Sequence, residues 1–220
     1  MTSPRIPAAL AALALAGAGC AAPVQARRPL PPPPAASESR TGAPTGAGPA
    51  FASTAARPAP SREARLAVET ASALVGRRSV TVDGKDYGSD CAALVRAALD
   101  RAGHAPPPEA RSARRLYALA EQRGALRPGN RLQPGDVVFL SDRPGGAPDH
   151  AGLVARADPD GTALVLHRMA RGVARMRVNL AWPRATNDPA TGRLVNDTLF
   201  VDRKPVPAGS LVVGVADLLR

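Results

Sequence analysis

Helical periodicity up to about residue 123, strand periodicity after it, and a first sixty residues with neither place this chain in the α+β class. N-terminal helices are expected to pack on a small antiparallel sheet. The 220 residues suit one domain of about 150 residues with added non-globular sequence better than two domains. Net charge is +11, almost all of it arginine, since Lys85 and Lys204 are the only lysines. Such a charge attracts a polyanion, which could be nucleic acid, anionic lipid or a cell-wall polymer. Aromatic residues make up 3% of the chain and no basic-aromatic interleaving occurs, so base-stacking platforms are scarce and no nucleic-acid partner is expected.

Residues 1–20 read as an export leader: one basic side chain, Arg5, then an apolar run Ile6 to Ala18 too short to span a bilayer. Its end, Leu15-Ala16-Gly17-Ala18-Gly19-Cys20, resembles a bacterial lipobox, in which the cysteine is lipidated and becomes the mature N-terminus. Gly17 departs from the aliphatic residue usual three before the cysteine, so ordinary leader cleavage stays open as the alternative. Residues 21–60 are Pro/Ala-rich with almost nothing to bury, which makes them a disordered tether partly in polyproline II. A lipidated Cys20 would make a membrane the second partner. The expected location is then periplasmic or cell-envelope, with a monomeric domain at 61–220.

Within that domain, Ser61 caps a helix running to about Val75, closed by Gly76. Ser79 to Val82 forms a short strand before an Asp83-Gly84 turn. A second helix follows, with Asp90 as N-cap and Cys91, Leu94, Val95, Ala98, Leu99 and Ala102 at helical spacing up to Gly103. A third spans Ala110 to Arg123, with Leu116, Tyr117 and Ala120 facing inward. Strands are expected at Asp136 to Leu140, Ala151 to Ala157, Thr162 to His167, Gly172 to Leu180 and Asp197 to Asp202, the last two continuing one meander. The tail Ala208 to Arg220 suits strand or helix.

Two observations single out Cys91. A helix N-terminus carries unsatisfied N–H groups and partial positive charge, which favours thiolate over thiol. Export implies a disulfide-permissive compartment, yet the only other cysteine belongs to the leader, so Cys91 has no partner and is flagged as reactive. Inert packing at the head of an apolar helix is the competing account. The hairpin decides between them. If Ala157 pairs with Thr162 across the Asp158-Pro159-Asp160-Gly161 turn, His167 falls opposite Gly152, on the same face as His150. Diagonal neighbours lie about 7 to 8 Å apart, within reach of two imidazoles. A cysteine, a histidine and a second polar ring form a nucleophile, a base and an orienting group.

Order and spacing then match a family. Asp90-Cys91-Ala92-Ala93-Leu94-Val95, Leu132-Gln133-Pro134-Gly135-Asp136-Val137-Val138-Phe139, Asp149-His150-Ala151-Gly152-Leu153-Val154 and Val165-Leu166-His167 together resemble the NlpC/P60 cell-wall peptidases, over roughly Ala64 to Asn179. The resemblance implies a papain-like α+β fold, no cofactor, and peptidoglycan as partner. It also implies cysteine-dependent hydrolysis of stem-peptide amide bonds, commonly between γ-D-glutamate and a diamino acid. Carried over by position, Cys91 is the nucleophile, His150 the base and His167 the orienting residue. Substrate-binding roles fall to Asp90 and Ala92, with a substrate or oxyanion role for Tyr87. Trp182 suits either the core or the lining of a substrate groove. Ala92-Ala93 stands where the family usually has Ser-Gly, and Tyr87 lies closer to the nucleophile than the usual site tyrosine; both leave the substrate open.

Three alternatives stand beside this one. A CHAP-like amidase or acyltransferase would use the same residues, and a lipoprotein could hold cell wall without cutting it. Cys91, His150 and His167 could also hold zinc with one open position, although the expectation is no metal.

Overall fold

The computed structural model describes residues 59–129 and 131–220. The leader, Cys20 and nearly all of the proposed tether lie outside the described residues. Helix α1 (Arg62–Ala73) begins where Ser61 Oγ accepts from Ala64 N–H at 3.0 Å, and it ends before Gly76 at φ 82°. Strands β1 (Thr81–Val82) and β2 (Lys85–Asp86) form a minimal hairpin whose turn, Asp83-Gly84, has both residues at positive φ. Helices α2 (Ala93–Arg101) and α3 (Ala113–Gln122) follow.

Five strands form the main sheet: β3 (Val137–Leu140), β4 (His150–Ala157), β5 (Thr162–Met169), β6 (Gly172–Asn179) and β9 (Val212–Ala216). Their order is β6-β5-β4-β3-β9, with every adjacent pair antiparallel. The α+β expectation holds, helices against an antiparallel sheet. The C-terminal tail, left undecided between strand and helix, is a short 3-10 helix (Ala208–Leu211) leading into β9, which completes the sheet beside β3. The expected strand at Asp197 to Asp202 is corrected: β7 (Thr198–Val201) pairs only with β8 (Lys204–Pro207) in a separate hairpin and does not extend the meander. The turn Asp202-Arg203, both residues at positive φ, folds it back on itself.

Alternation along the strands divides the core into two. Val137, Phe139, Ala151, Leu153 and Leu166 face the helices, where Leu94, Val95, Leu99 and Leu116 are fully buried. Tyr117 belongs there, as expected, its ring edge-on to Phe139 at 5.2 Å. Val138, Leu140, Val154, Val165 and Met176 face the other way and are covered by Leu199, Val201 and Val206 of the small hairpin.

The β4–β5 register is reached differently from the expectation. Ala157 pairs with Ala163, not Thr162, because the turn holds one residue more. An irregularity between Val154 and Arg156 then takes the extra residue back. Gly152 therefore lies opposite His167 after all.

Candidate active site

Cys91 stands in the turn before α2. The N-cap position belongs to Ala92, whose side chain cannot cap, rather than to the expected Asp90. Asp90 still supplies the capping contacts from two residues upstream: Oδ1 accepts from Ala92 N–H at 2.9 Å and its carbonyl from Ala93 N–H at 3.2 Å. The cysteine is thus two residues outside the helix proper, half-buried, at the end where the first N–H groups are unsatisfied.

The thiol donates to the backbone carbonyl of Asp149, with Sγ at 3.2 Å from the oxygen. That carbonyl belongs to the peptide leading into His150, so the turn before α2 meets the entry to β4. On β4, Gly152 separates His150 from its facing neighbour, and there the two imidazoles meet. His150 Nε2 lies 2.9 Å from His167 Nδ1, with the ring planes at 89°. An added Cβ at Gly152 would stand 3.2 Å from His167 Cβ and 2.5 Å from Val165 Cγ1, so only glycine leaves this space open.

Electrostatics set the resting protonation. Burial pushes the Cys91 thiol above its ordinary value, helped by the Asp90 and Asp149 carboxylates; the Ala113 N–H at the start of α3 pulls against them. Burial lowers His150. His167 falls to about 4, through burial and the neighbouring His150, with Asp197 opposing. The directions for Cys91 and His150 diverge, so the site rests as neutral thiol and neutral imidazole. The helix end favours the thiolate, as expected, but desolvation outweighs its N–H groups.

The remaining candidates are placed elsewhere or otherwise engaged. Both Asp90 oxygens are in use, Oδ1 by Ala92 N–H and Oδ2 by Arg96 at 2.8 Å. Ala92 is fully buried. The Tyr87 hydroxyl donates to Asp100 Oδ2 at 2.5 Å, in the last turn of α2, about 12 Å along the helix from Ala92. Lys85 binds the same carboxylate oxygen. Trp182 follows the far end of β6; its N–H donates to Asn179 Oδ1, and Asn179 pairs with Thr162, five residue pairs from His167. That separation is about 17 Å along the strand. The structure therefore pairs His150 with His167, sets the Cys91 thiol against the carbonyl of the residue before His150, and engages the Tyr87 hydroxyl and the Trp182 backbone N–H elsewhere. It adds the Asp149 carbonyl and the Ala113 N–H, two backbone groups with no sequence signature. Among the described residues, no group of three or more His, Cys, Asp or Glu could hold a metal ion.

The arrangement suits acyl transfer: a thiol at a helix end, held by the peptide that leads into an imidazole, and a second imidazole paired with the first. The NlpC/P60 family model matches residues 76–186 of the chain, which include all three side chains. Among solved structures, the chain is similar to "The crystal structure of Ly7917", at 17% identity and TM-score 0.38, covering 70% of this chain and 77% of that one. It is also similar to "The crystal structure of Ly7917 with the hydrolyzing product of MDP", at 16% identity and TM-score 0.38, covering 70% and 78%. No curated protein matches the chain.

Proposed function

Because the chain belongs to the NlpC/P60 family, we propose that it is a cell-wall hydrolase that cuts amide bonds of peptidoglycan stem peptides through a Cys91-His150-His167 triad. One observation carries this: the Cys91 thiol sits against the peptide entering His150, whose far nitrogen pairs with His167 at 2.9 Å. The histidine pairing uses His150 Nε2 and leaves Nδ1 for the thiol.

As the substrate carbonyl settles over Cys91, the thiol proton passes from its contact with the Asp149 carbonyl to His150 Nδ1, and sulfur attacks the carbonyl carbon. The imidazolium so formed donates its Nε2–H to His167 Nδ1. With a pKa of about 4, His167 stays neutral and accepts that bond, so the pair carries a single positive charge, on His150. The Ala113 N–H steadies the sulfur as it loses its proton, and the Cys91 N–H is positioned for the oxyanion. His150 then protonates the departing amine, and a water deprotonated by His150 releases the acyl group from Cys91.

An export leader and a Cys20 anchor fit a wall substrate, since they would hold the domain in the envelope beside it. The test is turnover: full-length protein incubated with purified peptidoglycan releases soluble fragments, and Cys91→Ala releases none. Equal release by the two proteins would contradict the proposal.

A further inference from the structure

Arg96 is the fourth residue of α2 and is mostly buried, with 15% of its side chain exposed. Its guanidinium NH2 donates backward to the carbonyl of Tyr87 and to Asp90 Oδ2, the latter at 2.8 Å. Those acceptors lie on either side of Gly88, whose φ of 87° is in the left-handed region that favours glycine. Asp90 in turn holds Ala92 N–H and Ala93 N–H. The chain of contacts runs from the helix body through Arg96 and Asp90 to the residues on both sides of Cys91. Arg96 Nε is buried without a partner, so the hydrogen bonding of the guanidinium is concentrated on Tyr87 and Asp90.

We propose that Arg96 is a positioning residue for the nucleophile: it clamps the turn Tyr87–Ala92 onto α2 and offsets the Asp90 carboxylate beside the thiol. The clamp rests on the reading of Cys91 as nucleophile. The charges acting on the thiol are the Asp90 carboxylate on its own turn, the Asp149 carboxylate from the entry to β4, and the N–H dipoles of Ala113 at the start of α3 and of Cys91 itself. Both carboxylates disfavour the thiolate. Arg96 supplies the cation that meets one of them, at 2.8 Å from Asp90 Oδ2.

The test uses the pH dependence of Cys91 alkylation by iodoacetamide in the full chain, quantified on the Cys91 peptide by mass spectrometry so that Cys20 does not contribute. No substrate is needed, so the clamp and the peptidoglycan proposal fail separately. Arg96→Met removes the cation and leaves the carboxylate bare; the midpoint rises by about one unit and alkylation at a fixed pH below it slows about tenfold. Asp90→Asn keeps the amide oxygen that accepts from Ala92 and lowers the midpoint. The double variant returns toward the wild type, because the charge Arg96 offsets is gone. Arg96→Lys keeps the charge, and its profile stays with the wild type. In turnover, Arg96→Met lowers kcat about tenfold at unchanged KM, as expected for a misplaced nucleophile. An Arg96→Met profile superimposed on the wild type, or a double variant displaced as far as Arg96→Met alone, overturns the proposal. If Arg96→Met does not fold, Asp90→Asn carries the test, and an unmoved midpoint there overturns it.

Discussion

His150 and His167 face each other across β4 and β5 with Nε2 and Nδ1 2.9 Å apart, and the residue opposite His167 in the register is glycine. A side chain at position 152 would meet Val165 Cγ1, the Leu166 carbonyl and His167 Cβ, from which the second imidazole projects. Gly152→Ala therefore forces His167 or Val165 to move. The expected result is a loss of about 1–3 kcal/mol in stability from overpacking and a fall in kcat of about 10²-fold as the imidazole loses its orientation. Chemical denaturation and turnover on peptidoglycan measure the two effects.

Replacement of His167 separates orientation from bulk. His167→Ala leaves the His150 Nε2–H without its protein acceptor, and kcat is expected to fall about 10²-fold. His167→Asn keeps an acceptor oxygen near the same place and recovers part of that loss. Equal kcat values for the two variants would show that His167 does not act through a hydrogen bond.

The resting protonation predicts a broad pH range. Burial raises the Cys91 thiol and lowers His150 from their ordinary values, so the neutral pair persists across the neutral range. Below that range His150 takes a proton and is lost as a base; above it the thiol ionises. The acid limb of kcat/KM is expected below the ordinary histidine range, and Cys91 alkylation should accelerate only above the ordinary cysteine range. Rapid alkylation at pH 5 would instead indicate a preformed thiolate–imidazolium pair.

Stability should fall with acid for a related reason. His167 is 4% exposed and its pKa drops from 6.5 to about 4 on folding. A depressed base favours the native state in its neutral form, so the contribution is complete above pH 6.5. It is lost as pH falls through 4, because the unfolded chain binds the proton first. The shift corresponds to at most about 3 kcal/mol. Thermal melts at pH 7 and pH 4.5 should differ more for the wild type than for His167→Asn.

Much of this was legible because the signals are local. Ser61 accepts from Ala64 as an N-cap serine should, and glycine closes α1. Strand alternation correctly placed His150 and His167 on one face. The route to that result held two offsetting departures: a turn longer by one residue and an irregularity at Ala155 that restores the pairing, neither marked by a distinctive residue. Other features depend on distant packing and left no local trace. The partner of β7 is β8 because the Asp202-Arg203 turn reverses the chain at once, through two residues seldom found at positive φ. The Tyr87 hydroxyl is claimed by Asp100, thirteen residues on, which a motif spacing does not reveal. At Cys91 the helix end favoured a lowered pKa, whereas burial, set by the whole fold, reverses the sign.

Mass spectrometry of stem peptides from peptidoglycan digested by wild type and by Cys91→Ala bears most directly on the central claim. Cys91-dependent hydrolysis predicts new paired carboxyl and amine termini at one amide bond of the stem, present with the wild type and absent with Cys91→Ala. Identical fragment masses from both proteins, or no new termini from either, would contradict it.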